Sequence, residues 1–468
     1  MSTKTITIKP ELLGGFRDML PGEAIMFQDM IATIRRVYES FGFVPLETPC
    51  MERWDVLTGN AKVEKSIFTA RIARGIEDEK IANATWEQNY TLRFDLTVPL
   101  ARVVAAYPDL PKPFKRYQIG RVWRGEKPQA GRFREFYQFD FDTIGSNSIL
   151  ADVEVIQVMY ATMTALGIKN FLIRFNTRKL LNGLAELVNC RERASEMLRV
   201  IDKLDKIGIE GVLVEMQRQP DNEYDESALA FSAEQATAVE SFLEIRGDST
   251  QDVIAQLKEF FCGKSNVGED GIREIEIIVA TLRVLDIPEA NWCFDLSVAR
   301  GLDYYTGPVF ETVLTDLSKL GSVFSGGRFD GLTNRFMPGS NIPGVGASVG
   351  VDRLLVGMQQ LGLVTVKETL TDVLVTIFDQ SDGALRNASL HCCAELRSTG
   401  IRTELYLGED HTLRAQLAYA QRKDIPFVII IGPDELRQKK AQLKNMSKRT
   451  QQVLTVSECV ATICSLTK

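Results

Sequence analysis

Histidine is nearly missing from this chain: two occur in 468 residues, His391 and His411, both in the C-terminal fifth. Imidazole chemistry is thereby excluded from the long N-terminal part, where catalysis must run on Arg, Asp, Glu, Gln, Tyr or a bound ion. Cysteine is sparse as well. The eight thiols, at 50, 190, 262, 293, 392, 393, 459 and 464, include no CxxC pair. That argues against a zinc site or a disulfide framework and for reduced thiols. The longest apolar run, Ile425 to Ile431, falls far short of the ~20 residues that span a bilayer. Met1 to Pro10 lacks an apolar core and a small-residue cleavage site, so no secretory signal is expected and the cytoplasm is the default compartment.

What is present is ordinary in amount and uneven in placement. Hydrophobic residues at 45% and charged residues at 25% exclude disorder, collagen and coiled coil, and the length suits about three domains. The net charge of −7 names no polyanion partner, but Lys112 to Arg134 holds eight basic residues (Lys112, Lys115, Arg116, Arg121, Arg124, Lys127, Arg132, Arg134) against Glu126 alone. A second basic cluster comprises Arg437, Lys439, Lys440, Lys444, Lys448 and Arg449.

Hydrophobic spacing orders the chain. Ile25, Met26, Met30, Ile34, Val37 and Tyr38 fall at helical intervals, predicting a helix that ends near Gly42. Phe43 to Glu47 reads as a strand, and Pro45 confines it to a sheet edge, one suited to a subunit contact. Tyr90–Phe94, Phe114–Ile119, Arg121–Trp123 and Phe136–Phe141 read as antiparallel strands. From Leu180 to Leu285 charged, helix-periodic sequence predicts a helical insertion, after which strands resume at Trp292–Leu296, Val309–Leu314 and Val323–Gly327. Beyond Leu363, strands Val373–Phe378, Thr403–Leu407 and Phe427–Ile431 alternate with helices near 383–397 and 411–421, the pattern of a parallel-cored α/β domain.

Two nucleotide motifs fail. Gly263-Lys264-Ser265 ends like a P-loop, but Lys258 stands where its first glycine belongs, and Gly344-Val345-Gly346 is one residue out of step with a Rossmann fingerprint. The segment from Tyr117 to Phe136 reads as strand, basic loop, strand. By itself that is either a hairpin with a solvated tip or a clamp in which arginine forks grip phosphate oxygens. Three further segments bear on the choice: Arg300-Gly301-Leu302-Asp303-Tyr304-Tyr305-Thr306-Gly307, Ser325-Gly326-Gly327-Arg328-Phe329-Asp330-Gly331-Leu332, and the glycine-rich run Gly344 to Gly350 leading to Asp352 and Arg353.

With these motifs nearly the whole chain resembles the histidyl-tRNA synthetases, a family of class II aminoacyl-tRNA synthetases. The first helix and its proline-bearing strand match motif 1, the Arg124 loop motif 2, and the glycine strand with Arg353 motif 3. Arg300–Gly307 and Ser325–Leu332 match the two histidine-specific signatures, and Thr91 to Pro99 matches the family in its eukaryotic-like form. The fold implied is an α+β catalytic domain, a class II synthetase antiparallel sheet with helices, with a helical insertion and a C-terminal α/β anticodon-binding domain. The corresponding boundaries are 1–179 and 286–363 for the two catalytic parts, 180–285 for the insertion and 370–468 for the anticodon-binding domain.

The activity implied is ATP-dependent attachment of L-histidine to tRNA(His) through a histidyl-adenylate, by a homodimer, with Mg²⁺ bridging the leaving pyrophosphate. Carried over residue by residue, Arg124 and Arg300 grip the α-phosphate from opposite sides, Arg353 the far phosphates, and Glu126 the adenine side. Asp95, Thr97 and Gln138 face the ammonium end of histidine, and Asp142 and Tyr305, with Tyr304, the imidazole end. No metal ligand is assigned. Two positions depart from the commonest pattern: Phe329 stands in place of a tyrosine, and Asp352 in place of a glutamate. The rival reading is a non-catalytic synthetase-like regulatory subunit of ATP phosphoribosyltransferase in histidine biosynthesis. Such paralogues lack the anticodon domain and degrade the Arg300 signature, both of which are intact here.

Overall fold

The computed structural model describes residues 9–59, 67–70, 90–128, 131–220, 225, 228–298 and 305–467. Within it the chain forms two compact units, a larger one ending at Leu363 and a smaller one of Asp18–Asp29 with Val364–Lys468.

The larger unit is organised by its strands: β1 (Val44–Pro45), β2 (Met51–Arg53), β3 (Thr69–Ala70), β4 (Tyr90–Leu92), β5 (Phe114–Trp123), β6 (Glu135–Ile144), β7 (Phe171–Thr177), β8 (Trp292–Phe294), β9 (Pro308–Leu314), β10 (Ser322–Arg328) and β11 (Gly344–Gly350). Eight of them form one sheet in the order β1-β5-β6-β11-β10-β9-β7-β8, and β2, β4 and β3 form a small second one. The inner pairs of the large sheet are antiparallel, while both outermost pairs, β1 with β5 and β7 with β8, run parallel. β1 is an edge, as Pro45, which has no N–H to donate, requires. β5 continues through Gly120, where a break between two strands was expected. The glycine is needed not for a turn but for room, since a Cβ there would lie 2.2 Å from Nη2 of Arg93. The Arg93 guanidinium in turn donates to the carbonyls of Arg121 (2.9 Å) and Thr48 (2.8 Å), joining the strand to the segment before β2.

Strand alternation gives this sheet two unlike faces. On one, Tyr117, Phe139 and Phe141 meet the helix Pro21–Ser40, whose Tyr38 ring stands 4.9 Å from Phe139, edge to face, and 4.8 Å from Phe141 in a tilted contact. Pro21 opens that helix, where its missing N–H costs nothing. Full burial of such rings contributes roughly 1.5–3 kcal/mol each, and the Tyr38 hydroxyl avoids a penalty by donating to the Phe139 carbonyl at 3.3 Å. The opposite face is polar. Register places Gln118 beside Asp140, Asp140 beside Ser348, Ser348 beside Ser325, and Ser325 beside Glu311.

Between β7 and β8 the described residues hold helices at Arg178–Leu187, Ala194–Ile201, Leu204–Gln217, Ala233–Leu243, Thr250–Phe261 and Asn266–Val284. Serine caps start three of them: Ser232 and Ser249 in reciprocal capping boxes, and Ser265 alone, each cap worth ~1 kcal/mol. In the smaller unit β12 (Val373–Val375), β13 (Thr403–Leu405), β14 (Phe427–Ile430), β15 (Ala441–Asn445) and β16 (Thr450–Leu454) pair in the order β13-β12-β14-β15-β16. The first three strands are parallel, as the alternation with helices implies, and β15 and β16 add an antiparallel hairpin. All eight cysteines are free thiols. Burial pushes Cys392 up to about 12 and Cys393 and Cys459 to about 11, so these core thiols are poor nucleophiles. Among the described residues no helix is long and apolar enough to cross a membrane.

One buried ion pair ties the larger unit together. Arg328, at the end of β10, donates Nε to Asp152 at 2.9 Å and Nη1 to the Ser146 carbonyl at 3.0 Å, gripping the helix Ile149–Ala165 and the turn before it. Asp152 has no solvent exposure; burial raises its carboxyl to about 6 against the opposing pull of Arg328. Asp152→Ala leaves the guanidinium buried and unpaired, and the expected loss of roughly 3–5 kcal/mol is read from urea unfolding of the variant beside the parent.

Candidate active site

A cavity of about 420 Å³ opens on the polar face of the large sheet, lined by residues of β5's following loop, β6, β10 and β11 together with Asp95, Thr97 and Tyr305. Its floor is set by register. β6 lies between β5 and β11, so that Asp142 is flanked by Arg116 and Gly346, Asp140 by Gln118 and Ser348, and Gln138 by Gly120 and Gly350. Glycine at 346 makes room for the carboxylate: a Cβ there would stand 2.2 Å from Oδ1 of Asp142.

One end of the cavity is anionic. Asp95, Asp140 and Asp142 converge there around Arg116, whose side chain is wholly removed from solvent. Arg116 Nη2 lies 2.7 Å from Oδ2 of Asp142, off the hydrogen-bonding axis, and donates to the Leu96 carbonyl at 3.2 Å. Burial drives Asp140 up to about 7 and Asp142 to about 6; Arg116 opposes this in both, while neighbouring carboxylates add to it. Asp95 accepts from the Val98 amide at 3.2 Å, in the first turn of the helix Thr97–Ala106, whose N-terminal Thr97 lines the same cavity. Gln138 donates Nε2 to Ser348 at 2.9 Å, leaving Oε1 buried with no hydrogen-bond partner among the described residues. The cluster has more carboxylates than cations and an idle acceptor, which suits a ligand bearing N–H groups.

Elsewhere the lining is cationic. Arg124, Arg132 and Arg353 share the cavity wall. Arg353 is lowered by burial first and then by the charges of Arg132 and Arg124, with Glu126 acting the other way. Arg353 donates to the Ser322 carbonyl at 2.5 Å, and Arg124 donates Nε to the Phe94 carbonyl at 3.0 Å while lying 5.2 Å over the Phe136 ring. Each guanidinium is fixed through one edge, leaving N–H groups for an anion.

The cavity therefore gathers Asp95, Thr97, Arg124, Glu126, Gln138, Asp142, Tyr305 and Arg353 from the sequence-derived set; Arg300 and Tyr304 lie outside the described residues. The run of eight basic residues does not act as one patch. Arg116 is core, Lys115 pairs with Glu154 at 2.8 Å, Arg121 pairs with Glu135 at 3.1 Å, and only Arg124 and Arg132 enter the cavity. Phe329 belongs to an apolar cluster with Leu100, Ala101 and Ile144 and lines the cavity with a plain ring. Arg328, in the same signature, serves the Asp152 pair. Sequence reasoning missed Arg116, Asp140, Ser348 and Arg132. The alternation Phe139-Asp140-Phe141-Asp142, matched by Arg116-x-Gln118-x-Gly120, was the signal that could have placed the first two on one polar face.

Comparison with known proteins agrees with this geometry. Residues 15–354 match the family model described as Histidyl-tRNA synthetase, and residues 372–466 match one described as Anticodon binding domain. The chain is 39% identical over 463 residues to a histidine–tRNA ligase of Clostridium tetani, covering 97% of this chain and 98% of that one. It is 40% identical over 460 residues to that of Wolinella succinogenes, with the same two coverages. The crystal structure of histidyl-tRNA synthetase from Nostoc sp. PCC 7120 superposes with a TM-score of 0.83 at 32% identity, covering 98% of this chain and 100% of that one. A cavity anionic at one end and arginine-lined at the other, on the polar face of this sheet and in a chain so matched over its length, makes the protein a member of the histidyl-tRNA synthetase family.

Proposed function

We propose that the chain joins histidine to tRNA(His) in two steps, activation by ATP to histidyl-adenylate and pyrophosphate, then transfer to the terminal ribose of the tRNA. The observation that carries this reading is the bipolar cavity. A zwitterionic amino acid with a ring donor matches the carboxylate end, and a polyphosphate matches the arginine end.

In the first step a carboxylate oxygen of histidine bonds to the α-phosphorus as the bond to the bridging oxygen of the β-phosphate breaks, and no proton moves. Stabilisation is then a matter of fixed positive charge where negative charge builds. Arg124 and Arg300 take the α-phosphate, Arg353 the far phosphates, and Glu126 the adenine side. Asp95, Thr97 and Gln138 hold the ammonium, with Asp142, Tyr304 and Tyr305 at the imidazole. Mg²⁺ supplies further charge neutralisation on the phosphates. The cavity carboxylates Asp352 and Glu311 are already paired with Arg17 and Arg174, and among the described residues no three His, Cys, Asp or Glu side chains gather to hold a metal.

The smaller unit is read as the anticodon-binding domain, the helices between β7 and β8 as an insertion in the catalytic domain, and the edge at β1 as the homodimer contact. The compartment assigned is the cytoplasm, where charged tRNA is consumed and free thiols persist. The regulatory-subunit alternative is disfavoured by the match of residues 372–466 to an anticodon-binding domain and by the intact Arg300 signature.

Arg300→Ala is expected to fold normally and lose adenylate formation by roughly 10²–10³-fold, the usual worth of one preorganised transition-state donor. ATP–pyrophosphate exchange with histidine is the measurement, and near-parental exchange would remove Arg300 from the mechanism.

Asp142→Asn, chosen over alanine because it keeps volume beside buried Arg116, should raise the KM for histidine and spare that for ATP. The acidic end also sets a pH dependence. Burial raises Asp140 to about 7 and Asp142 to about 6, so as pH falls through that range they become neutral and cease to attract the N–H groups of the imidazole end. The histidine KM should therefore climb as pH falls from 8 to 6 by more than the titration of histidine itself explains, with the ATP KM flat.

Lys448 and Arg449 are exposed in the turn between β15 and β16. Reversing both charges should weaken tRNA binding, flatten its salt dependence by ~1–2 in the log–log slope, and leave pyrophosphate exchange unchanged. Filter binding across a salt series checks this.

A further inference from the structure

A segment outside every signature residue discussed so far touches the arginine end of the cavity. The N-terminal stretch Gly14–Arg17 lies against the loop joining β5 to β6. The Gly15 carbonyl accepts from the Arg134 amide at 2.8 Å, and the Gly14 carbonyl accepts from Arg134 Nη1 at 3.1 Å. Gly15 has a φ of +86°, and a Cβ there would stand 2.9 Å from Arg134 Cδ and 2.9 Å from Pro128 Cγ, so both conformation and closeness demand glycine. The Arg17 guanidinium lies 4.4 Å over the Phe133 ring and donates Nη2 to Oδ1 of Asp352 at 2.5 Å. The other oxygen of Asp352 accepts from the Tyr137 amide at 2.7 Å. Asp352 is buried, immediately precedes Arg353 and opens the helix Val351–Gln360.

We propose that Arg17 is a positioning residue for the ATP half of the site: it clamps the β5–β6 loop through Phe133 and the helix of Arg353 through Asp352, fixing the arginines of both elements relative to each other. The inference rests on the assignment of Arg124 and Arg353 to ATP phosphates and adds a residue that touches no substrate. The physical need is plain. The charges of Arg124 and Arg132 both act against that of Arg353, so a loop carrying two of these arginines needs holding beside the third. A planar cation that stacks on an aromatic face and pairs with a carboxylate can do both at once, whereas lysine offers only the point charge. The anionic end has its own anchor in Arg116 and the β5–β6–β11 register, so the effect should be confined to ATP.

The test is pyrophosphate exchange with the full chain and its Arg17→Met, Arg17→Lys and Asp352→Asn variants, alongside thermal melts. A rise in ATP KM of about 10-fold or more for Arg17→Met, of the order that small misplacements of a site produce, with histidine KM within about twofold, supports the clamp. So does partial rescue in Arg17→Lys, and a double variant with Asp352→Asn no worse than the poorer single one. Unchanged exchange in Arg17→Met overturns it, as does an equal rise of both KM values tracking a lowered melting temperature, which is what a merely structural residue would give. If the parent protein itself makes no histidine-dependent exchange, the functional reading fails instead, and the two failures are told apart by that control.

Discussion

Arg116 is a full positive charge held out of water, and the geometry of the substrate pocket follows from the need to answer it. An isolated buried guanidinium is prohibitively costly, so the strand beside β5 must bring carboxylates to it, and β6 does so at Asp142 and, one pleat along, at Asp140. Those carboxylates in turn exceed what one arginine can neutralise. Burial and mutual repulsion raise them toward neutral pH, leaving a cluster that gains from a further cation. The pocket is therefore not a stable ion pair waiting beside a ligand but an incomplete one. An apolar replacement of such a set is often as stable; what it would lack is the preference of carboxylates for a ligand that bears N–H groups.

How much of this could be read from the chain alone depended on distance along it. Local alternation in β5 and β6, the helical texture after Leu180 and the strand–helix alternation after Leu363 are properties of neighbouring residues, and they reappear as elements of the fold. Pro45 marked an edge because its missing donor acts wherever the strand lies. The pairings that build the site are of another kind. Gln138 meets Ser348, Tyr137 meets Asp352, and Arg17 meets Asp352 across 335 positions, and no local pattern registers such partners.

Composition misled in two places for related reasons. The basic run from Lys112 to Arg134 looks like one electrostatic feature, yet the two-residue repeat of a strand sends Arg116 and Arg121 into different surroundings, core and surface. Conversely, Arg328 sits in a signature matched to histidine enzymes, while its guanidinium is spent on Asp152 and the turn at Ser146. Residue type announces that a charge is important. Whether it is important to the substrate or to the scaffold is decided by which face of the sheet it leaves from.

The parallel pairing of β7 with β8 has a consequence for how this architecture can vary. All the described helices from Arg178 to Val284 leave from the end of β7 and return to the start of the edge strand β8. Parallel pairing sets these two points of attachment at opposite ends of the strand pair, at a separation the sheet itself fixes, and closing a longer or shorter excursion between them changes the chain entropy only logarithmically with length. The strands that carry Asp142 and Ser348 lie further in, with β9 and β10 between. A family built on this sheet can thus exchange, enlarge or discard what hangs from that edge while the chemistry stays in register, much as a tool keeps its cutting face when the handle is changed.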